Sequence, residues 1–319
     1  MPLPTGDVIG ILADNLRLRR SVLPISKRNA TRWARGLGLP RGGETVLYTG
    51  MMYQLIPYIE GLVEKEKSFG DSFLSKLTGL ARTINKAVNV STFMVRPSSR
   101  LRDAYNQVPQ EVAALLKAAG VEFGYLYEDD LYSGALAYDL GTDETVQAHA
   151  RKVYDVIKKH GVKTVITIDP HTTNMLRSVY PKLVPGYDLQ VKTYLEVLAE
   201  KDLTPVHVLS DHIVLHDPCV FARYEGIVDQ PRKLLAATGV TVGEPERAGR
   251  MTWCCGGPVE SLYPEKAEAN ARKRVEQLRT AGNEVITMCP MCLINLGSAA
   301  SDGMKFEDIS HYLYRAFVA

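Results

Sequence analysis

The chain has 319 residues, 45% of them apolar and 23% charged, with a net charge of +2. That composition excludes a disordered chain and leaves room for two domains of ordinary size. No apolar run approaches the roughly 18 residues of a membrane span, and charge enters the N-terminus too early for a signal peptide. The expected compartment is therefore the cytoplasm, where thiols stay reduced. The odd count of five cysteines also argues against a disulfide framework.

Residues 1–44 read as a basic extension. Within residues 1–41, Arg17, Arg19, Arg20, Lys27, Arg28, Arg32, Arg35 and Arg41 face only Asp7 and Asp14. Such an arm either packs along its own protein or meets an acidic partner or an anionic membrane. No nucleic-acid-binding motif accompanies it, and no nucleic-acid partner is expected.

Beyond the arm the chain repeats itself. VLYTGM at 46–51 aligns with VLHDPC at 214–219, an offset of 168. LYSGA at 131–135 aligns with WCCGG at 253–257, and VITIDPHT at 165–172 with VITMCPMC at 285–292, offsets of 122 and 120. ARK recurs at 150–152 and 271–273, an offset of 121. Near-equal offsets mean that one unit occurs twice. We place the units at 45–204 and 205–319.

Each unit predicts strands at Val46–Thr49 or Ile213–His216 and at Lys163–Ile168 or Glu284–Met288. A helix at Glu144–Lys159 or Glu265–Thr280 precedes the second strand of each pair. Alternating strands and helices predict an α/β fold of two pseudo-symmetric Rossmann-like repeats with parallel sheets. The repeated blocks then sit at the carboxyl ends of strands, where such sheets hold ligands.

The jump in offset from 168 to 122 marks an insertion in the first unit, about 62–106. Phe73, Leu77, Leu80, Ile84 and Val88 recur there at helical spacing, with Lys65, Lys67, Lys76, Arg82 and Lys86 elsewhere. A basic amphipathic helix packs on its own domain, docks a partner or lies on a membrane. The stretch 72–94 is the candidate for peripheral membrane contact.

All five cysteines lie in the second unit: Cys219, Cys254, Cys255, Cys289 and Cys292. Thiolates are soft ligands that select iron–sulfur clusters, zinc or copper(I). Neighbours on a strand point to opposite faces, so the Cys254–Cys255 pair converges only on a turn, which Gly256 and Gly257 permit. Five thiolates exceed the four that a cubane cluster or a tetrahedral zinc accepts. The residues thus admit a cluster with a spare or bridging thiolate, or zinc with a spare thiol.

The pattern HDPC, CCGG, CPMC resembles the cysteine-rich CCG domain of the heterodisulfide reductase B-type proteins, over about 45–319. Relatives in lactate, glycerol-3-phosphate and succinate oxidoreductase systems share it, as do B-type components of a sulfur-oxidising heterodisulfide reductase-like complex. The resemblance implies one 4Fe–4S cluster, of noncubane form, on all five cysteines. It further implies an oxidoreductase acting on sulfur compounds, within a complex associated with the cytoplasmic membrane. No GxGxxG fingerprint and no ferredoxin-type cysteine run is present in the sequence. Flavoprotein and ferredoxin-type subunits are therefore the expected partners.

The first unit departs from the pattern. Met51, Tyr132, Ser133, Asp169 and Thr172 stand at the five ligand positions. Four of these are hard oxygen groups, so no cluster is expected in this repeat. Tyr132, Asp169 and His171 are candidate catalytic residues, lining a wall opposite the surviving cluster. The plain alternative is a structural remnant in which His171, after an Asp-Pro turn, merely caps the following helix. His216 and Asp217 are expected to tune the cluster from behind its ligands. The rival function is a non-catalytic assembly protein stabilised by zinc or a cluster.

Overall fold

The computed structural model describes residues 5–23, 25–69, 97–260, 262–300 and 303–319. The amphipathic stretch expected at 72–94 lies outside the described residues. Two four-stranded sheets, each wholly parallel, carry the fold.

The first sheet comprises β1 (Thr45–Tyr48), β2 (Gly124–Tyr125), β3 (Thr164–Thr167) and β4 (Gln190–Thr193), in the order β2-β1-β3-β4. The second comprises β5 (His212–Leu215), β6 (Thr241–Gly243), β7 (Glu284–Thr287) and β8 (Lys305–Asp308), in the order β6-β5-β7-β8. The pairing register carries the repeat. Val46 pairs with Val165 in one sheet and Val214 with Val285 in the other, the same offsets of 168 and 120 that the sequence blocks show. Strands such as Thr45–Tyr48 and Glu284–Thr287 are buried along nearly their whole length. Helices on both faces exclude water from such sheets, so the strands read as continuous β-branched runs rather than alternating ones.

The helix Asp143–Lys159 turns Val146, His149, Ala150, Val153, Tyr154 and Ile157 inward. Its counterpart Pro264–Arg279 turns in Ala267, Ala271, Arg274, Val275 and Leu278. Both stripes follow the 3.6-residue period, and each carries one polar intruder, His149 or Arg274.

The basic arm is folded back on the first unit. Arg32 pairs with Asp103 at 3.1 Å. Arg41 pairs with Glu128 at 2.5 Å and stacks over the Tyr127 ring at 5.0 Å. Trp33 is fully buried and donates to the Tyr125 hydroxyl at 3.1 Å.

The two units are joined by buried polar contacts. The Tyr53 hydroxyl donates to Asp308 Oδ2 at 2.5 Å, and the Ser310 hydroxyl donates to Glu111 Oε2 at 2.8 Å. Asn174 Nδ2 and the Ser178 hydroxyl both donate to Glu225 Oε1, at 2.7 and 2.8 Å. Each bond links a loop or helix beyond the sheet rim of one unit to the other unit. Among the described residues, no helix is long and apolar enough to cross a membrane.

Candidate metal centre

In a sheet ordered β6-β5-β7-β8, the chain leaves β5 toward one edge and β7 toward the other. The crevice between the carboxyl ends of β5 and β7 is the topological switch point, where open α/β sheets bind ligands. Cys219 lies four residues beyond β5 and Cys289 two beyond β7. Cys289 occupies the N-cap position of the helix Pro290–Ala299, and Cys292 sits in its first turn. Cys254 and Cys255 arrive on the loop ahead of the helix Pro264–Arg279. Gly256 has φ +86°, and a Cβ there would lie 2.6 Å from the Ala267 carbonyl oxygen. Glycine therefore sets both the turn and its close approach to the helix.

The structure brings all five cysteines together. Cys219 Sγ lies 3.6 Å from Cys254 Sγ, and Cys292 Sγ lies 3.3 Å from Cys255 Sγ. Cys289 is in hydrogen-bonding reach of Cys292. Cys255, Cys289 and Cys292 are buried, whereas Cys219 and Cys254 are half-buried. One edge of the centre is thus open to solvent and the other is sealed. Electrostatics favour thiolates at two positions. Cys254 is held well below the usual thiol range, chiefly by the Cys219 thiol and also by Cys255 and the Gly256 N–H. Burial opposes the Cys289 thiolate, but hydrogen bonds with Cys292 and His171 outweigh it and lower its pKa to about 5.

The donor set fits an iron–sulfur cluster: five soft sulfurs converge on the switch point, some already favouring the anionic form that ligates metal. The sulfurs touch in pairs, and among the described residues no group of three or more His, Cys, Asp or Glu side chains is placed around a single ion. Loading a cluster would part the sulfurs by side-chain rotation. Behind them His216 is fully buried, with an Nε2 that finds no partner among the described residues. An unpaired buried polar group of this kind marks a place where a bound group completes the site.

The loops behind the centre are braced. Asp217 accepts both terminal nitrogens of Arg232 at 2.8 Å and the Gly249 N–H at 2.6 Å, while its carbonyl accepts the Thr252 hydroxyl at 2.8 Å. Asn270 donates to the Cys254 carbonyl at 2.6 Å. His149, 121 residues earlier, meets the Tyr132 carbonyl at 2.6 Å. A polar side chain of the preceding-strand helix thus holds the same carbonyl in both units. Arg274, His149 and Asn270 escaped the sequence reading. The available signal for Arg274 and His149 was a polar residue at a position of the helix stripe where apolar ones recur.

The sequence-derived candidates in the first unit part ways. Tyr132 is fully buried, and its hydroxyl accepts the Leu136 N–H at 2.8 Å. Asp169 is fully buried and caps the helix Pro170–Asn174, accepting the Thr172 N–H at 2.9 Å. Burial lifts its pKa to about 7. His171 is the one of the three in reach of a cysteine. Burial disfavours its charge, but Cys289, Asp139 and Asp169 together raise its pKa to about 9. Its Nδ1 lies 3.8 Å from Asp139, whose carboxylate is partly exposed. Met51, with φ +60°, follows the loop that Asp130 braces by accepting Thr49 N and Gly50 N, both at 3.2 Å.

A doubled parallel α/β fold thus gathers five thiols at one switch point. The model of the CCG cysteine-rich domain matches residues 96–177 and 213–297, more than half of the chain, and the protein belongs to this family. The chain is 30% identical over 233 residues to the EtfAB:quinone oxidoreductase of Syntrophomonas wolfei, covering 67% of this chain and 32% of the relative. It is 35% identical over 214 residues to the probable iron-sulfur-binding oxidoreductase FadF of Bacillus subtilis, covering 63% and 30%. It is 27% identical over 217 residues to the D component of the dihydromethanophenazine:CoB–CoM heterodisulfide reductase of Methanosarcina barkeri, covering 64% and 53%. The chain spans about a third of the length of the first two relatives.

Proposed function

We propose that this chain is the B-like redox component of a heterodisulfide reductase-like complex, holding one 4Fe–4S cluster of noncubane form on Cys219, Cys254, Cys255, Cys289 and Cys292. Convergence of five thiols at the switch point, one more than a cubane or a zinc ion takes, is the observation that carries this reading. The cluster would supply one-electron redox chemistry there. Electrons would reach it from a flavoprotein or ferredoxin-type partner, a reading supported by a relative named EtfAB:quinone oxidoreductase.

The half-buried edge at Cys219 and Cys254 is the side from which a disulfide or sulfur-carrier substrate approaches. Reducing a disulfide consumes two electrons from the partner and two protons from solvent, and releases two thiols. On the first unit's wall, we assign His171 to the reaction, since it alone of the three candidates reaches the cysteines. Tyr132 and Asp169 hold the wall's shape through the Leu136 and Thr172 N–H groups. The alanine variant of His171 should keep its iron and lose on the order of a hundredfold in turnover of a thiol or disulfide, the lower range for a group handling protons. Unchanged turnover with full iron content would leave the chain as an electron relay, a second reading that the burial of His171 favours.

Anaerobically purified protein should be brown, with about four iron and at least four sulfide per chain. Colourless protein containing zinc would overturn the proposal in favour of a non-catalytic assembly role. The first unit should bind no cluster, because Met51, Tyr132, Ser133, Asp169 and Thr172 stand where the second unit has its five thiols. An iron anomalous signal beside Asp169 would contradict this.

A further inference from the structure

His216 lies three residues before Cys219, at the carboxyl end of β5, with no exposed surface. Arg274 is also fully buried, and its Nε sits 3.1 Å from His216 Nδ1. A guanidinium has only donors, so this contact assigns the acceptor role to Nδ1. Burial, followed by the charge of Arg274, depresses the pKa of His216 to about 3. The ring is therefore neutral, and its single proton must reside on Nε2. That Nε2–H has no acceptor among the described residues. Besides Arg274, the group whose charge acts on this ring is Cys254.

A buried N–H without an acceptor is costly, and native proteins rarely tolerate one unless a missing group completes the bond. Arg274 is itself anchored. Its Nη1 donates to the Arg247 carbonyl and to Gln277 Oε1, both at 2.9 Å, and its Nη2 lies 3.5 Å from the Thr252 hydroxyl. Arg274 cannot swing away to let the imidazole change tautomer. A buried cation facing one ring nitrogen, with the opposite nitrogen left unpaired in a residue three positions before Cys219, has no evident purpose in packing alone.

Taking the cluster reading above as its basis, we infer that Arg274 is a positioning residue that locks His216 in the Nε2–H tautomer, so that His216 donates a hydrogen bond to a sulfur of the bound cluster, either Cys254 Sγ or a sulfide beside it. A hydrogen bond to a cluster sulfur stabilises the more negative, reduced state and so raises the reduction potential. No such bond was visible in the HDPC motif, because its direction depends on a residue 58 positions away.

The test begins with iron and sulfide analysis. Protein without iron refutes the cluster assignment itself, separately from this inference. On iron-loaded protein labelled with 15N at histidine and carrying H171A, which removes the other histidine in reach of a cysteine, pulsed paramagnetic resonance of the cluster's paramagnetic state should show one histidine nitrogen coupling. A spectrum without it overturns the inference. The H216F variant should lose that coupling. At a fixed ambient potential its oxidised-to-reduced ratio should rise about tenfold, which is 59 mV for one electron. Glutamine at 216 keeps an N–H near the Nε2 position, so H216Q should restore most of the potential. In the R274M variant the ring is free to move its proton, and the potential should fall toward that of H216F although the histidine remains. Loaded H216F or R274M protein with the wild-type potential would overturn the tautomer lock.

Discussion

The C255S variant should retain less than about a quarter of the iron that the wild type binds and should lose the cluster's absorption. Cys255 is 2% exposed and touches Cys292 at 3.3 Å. A serine hydroxyl there would be hard, poorly ionised and buried, so it offers iron neither the soft donor nor the anion that the thiolate supplies. No neighbouring sulfur takes over easily. The Gly256 turn holds the backbone against Ala267, and Cys254 is tied through its carbonyl to Asn270. C292S should behave alike, because the second sulfur of the touching pair is equally enclosed. C219S is expected to lose less, as Cys219 lies on the half-buried edge where water can complete a vacated ligand position. Full iron content in C255S would remove the five-thiol centre from consideration. Full content in a chain lacking both Cys289 and Cys292 would do the same more severely.

The D217A variant should lose about 3–5 kcal/mol of stability and most of its cluster, although Asp217 is not itself a thiol ligand. Its carboxylate is 1% exposed and accepts two Arg232 nitrogens and the Gly249 N–H. Removing it leaves the partly buried guanidinium of Arg232 with only Glu244 as an acidic partner, at 2.7 Å, and an N–H of the 249–251 turn without its acceptor. That turn leads directly into Cys254, while Asp217 itself sits two residues before Cys219. One substitution thus loosens both members of the touching Cys219–Cys254 pair. Denaturant unfolding and iron analysis give the two readouts. In D217N the amide can still accept one bond, so that variant should fall between wild type and alanine. Wild-type stability in D217A would mean that the loops are held by the sheet alone.

Much of this architecture was legible before any coordinates. Two repeated blocks and the ARK recurrence shared offsets of 120–122, the first block had 168, and the pairing of Val46 with Val165 and of Val214 with Val285 reproduces the offsets of 168 and 120. Strand runs such as VITI and VITM are β-branched and short, and their positions were close to those observed. The paired glycines after Cys255 predicted a turn, and the left-handed Gly256 provides it. The alternative that His171 merely caps the next helix is corrected: the cap is Asp169, and His171 lies within the helix.

Other features were illegible for a physical reason. A buried Arg274 looks in sequence like one more exposed cation of the helix Pro264–Arg279. Only the packing of that helix on the sheet brings it to His216. The Tyr132 hydroxyl could have faced a cleft, but the local chain turns it onto the Leu136 N–H. Contact between His171 and Cys289 requires two units that are distant in sequence to meet rim to rim. That meeting is held by Tyr53 on Asp308 and by Asn174 and Ser178 on Glu225. Spacing and periodicity are local properties, written into the order of residues, and they determined the doubled α/β fold, the five thiols and the loss of thiols from the first unit. Which side chains face the centre, which are spent on caps, and which proton His216 presents were decided by tertiary packing, because burial and hydrogen-bond partnership arise only once remote segments share one interior.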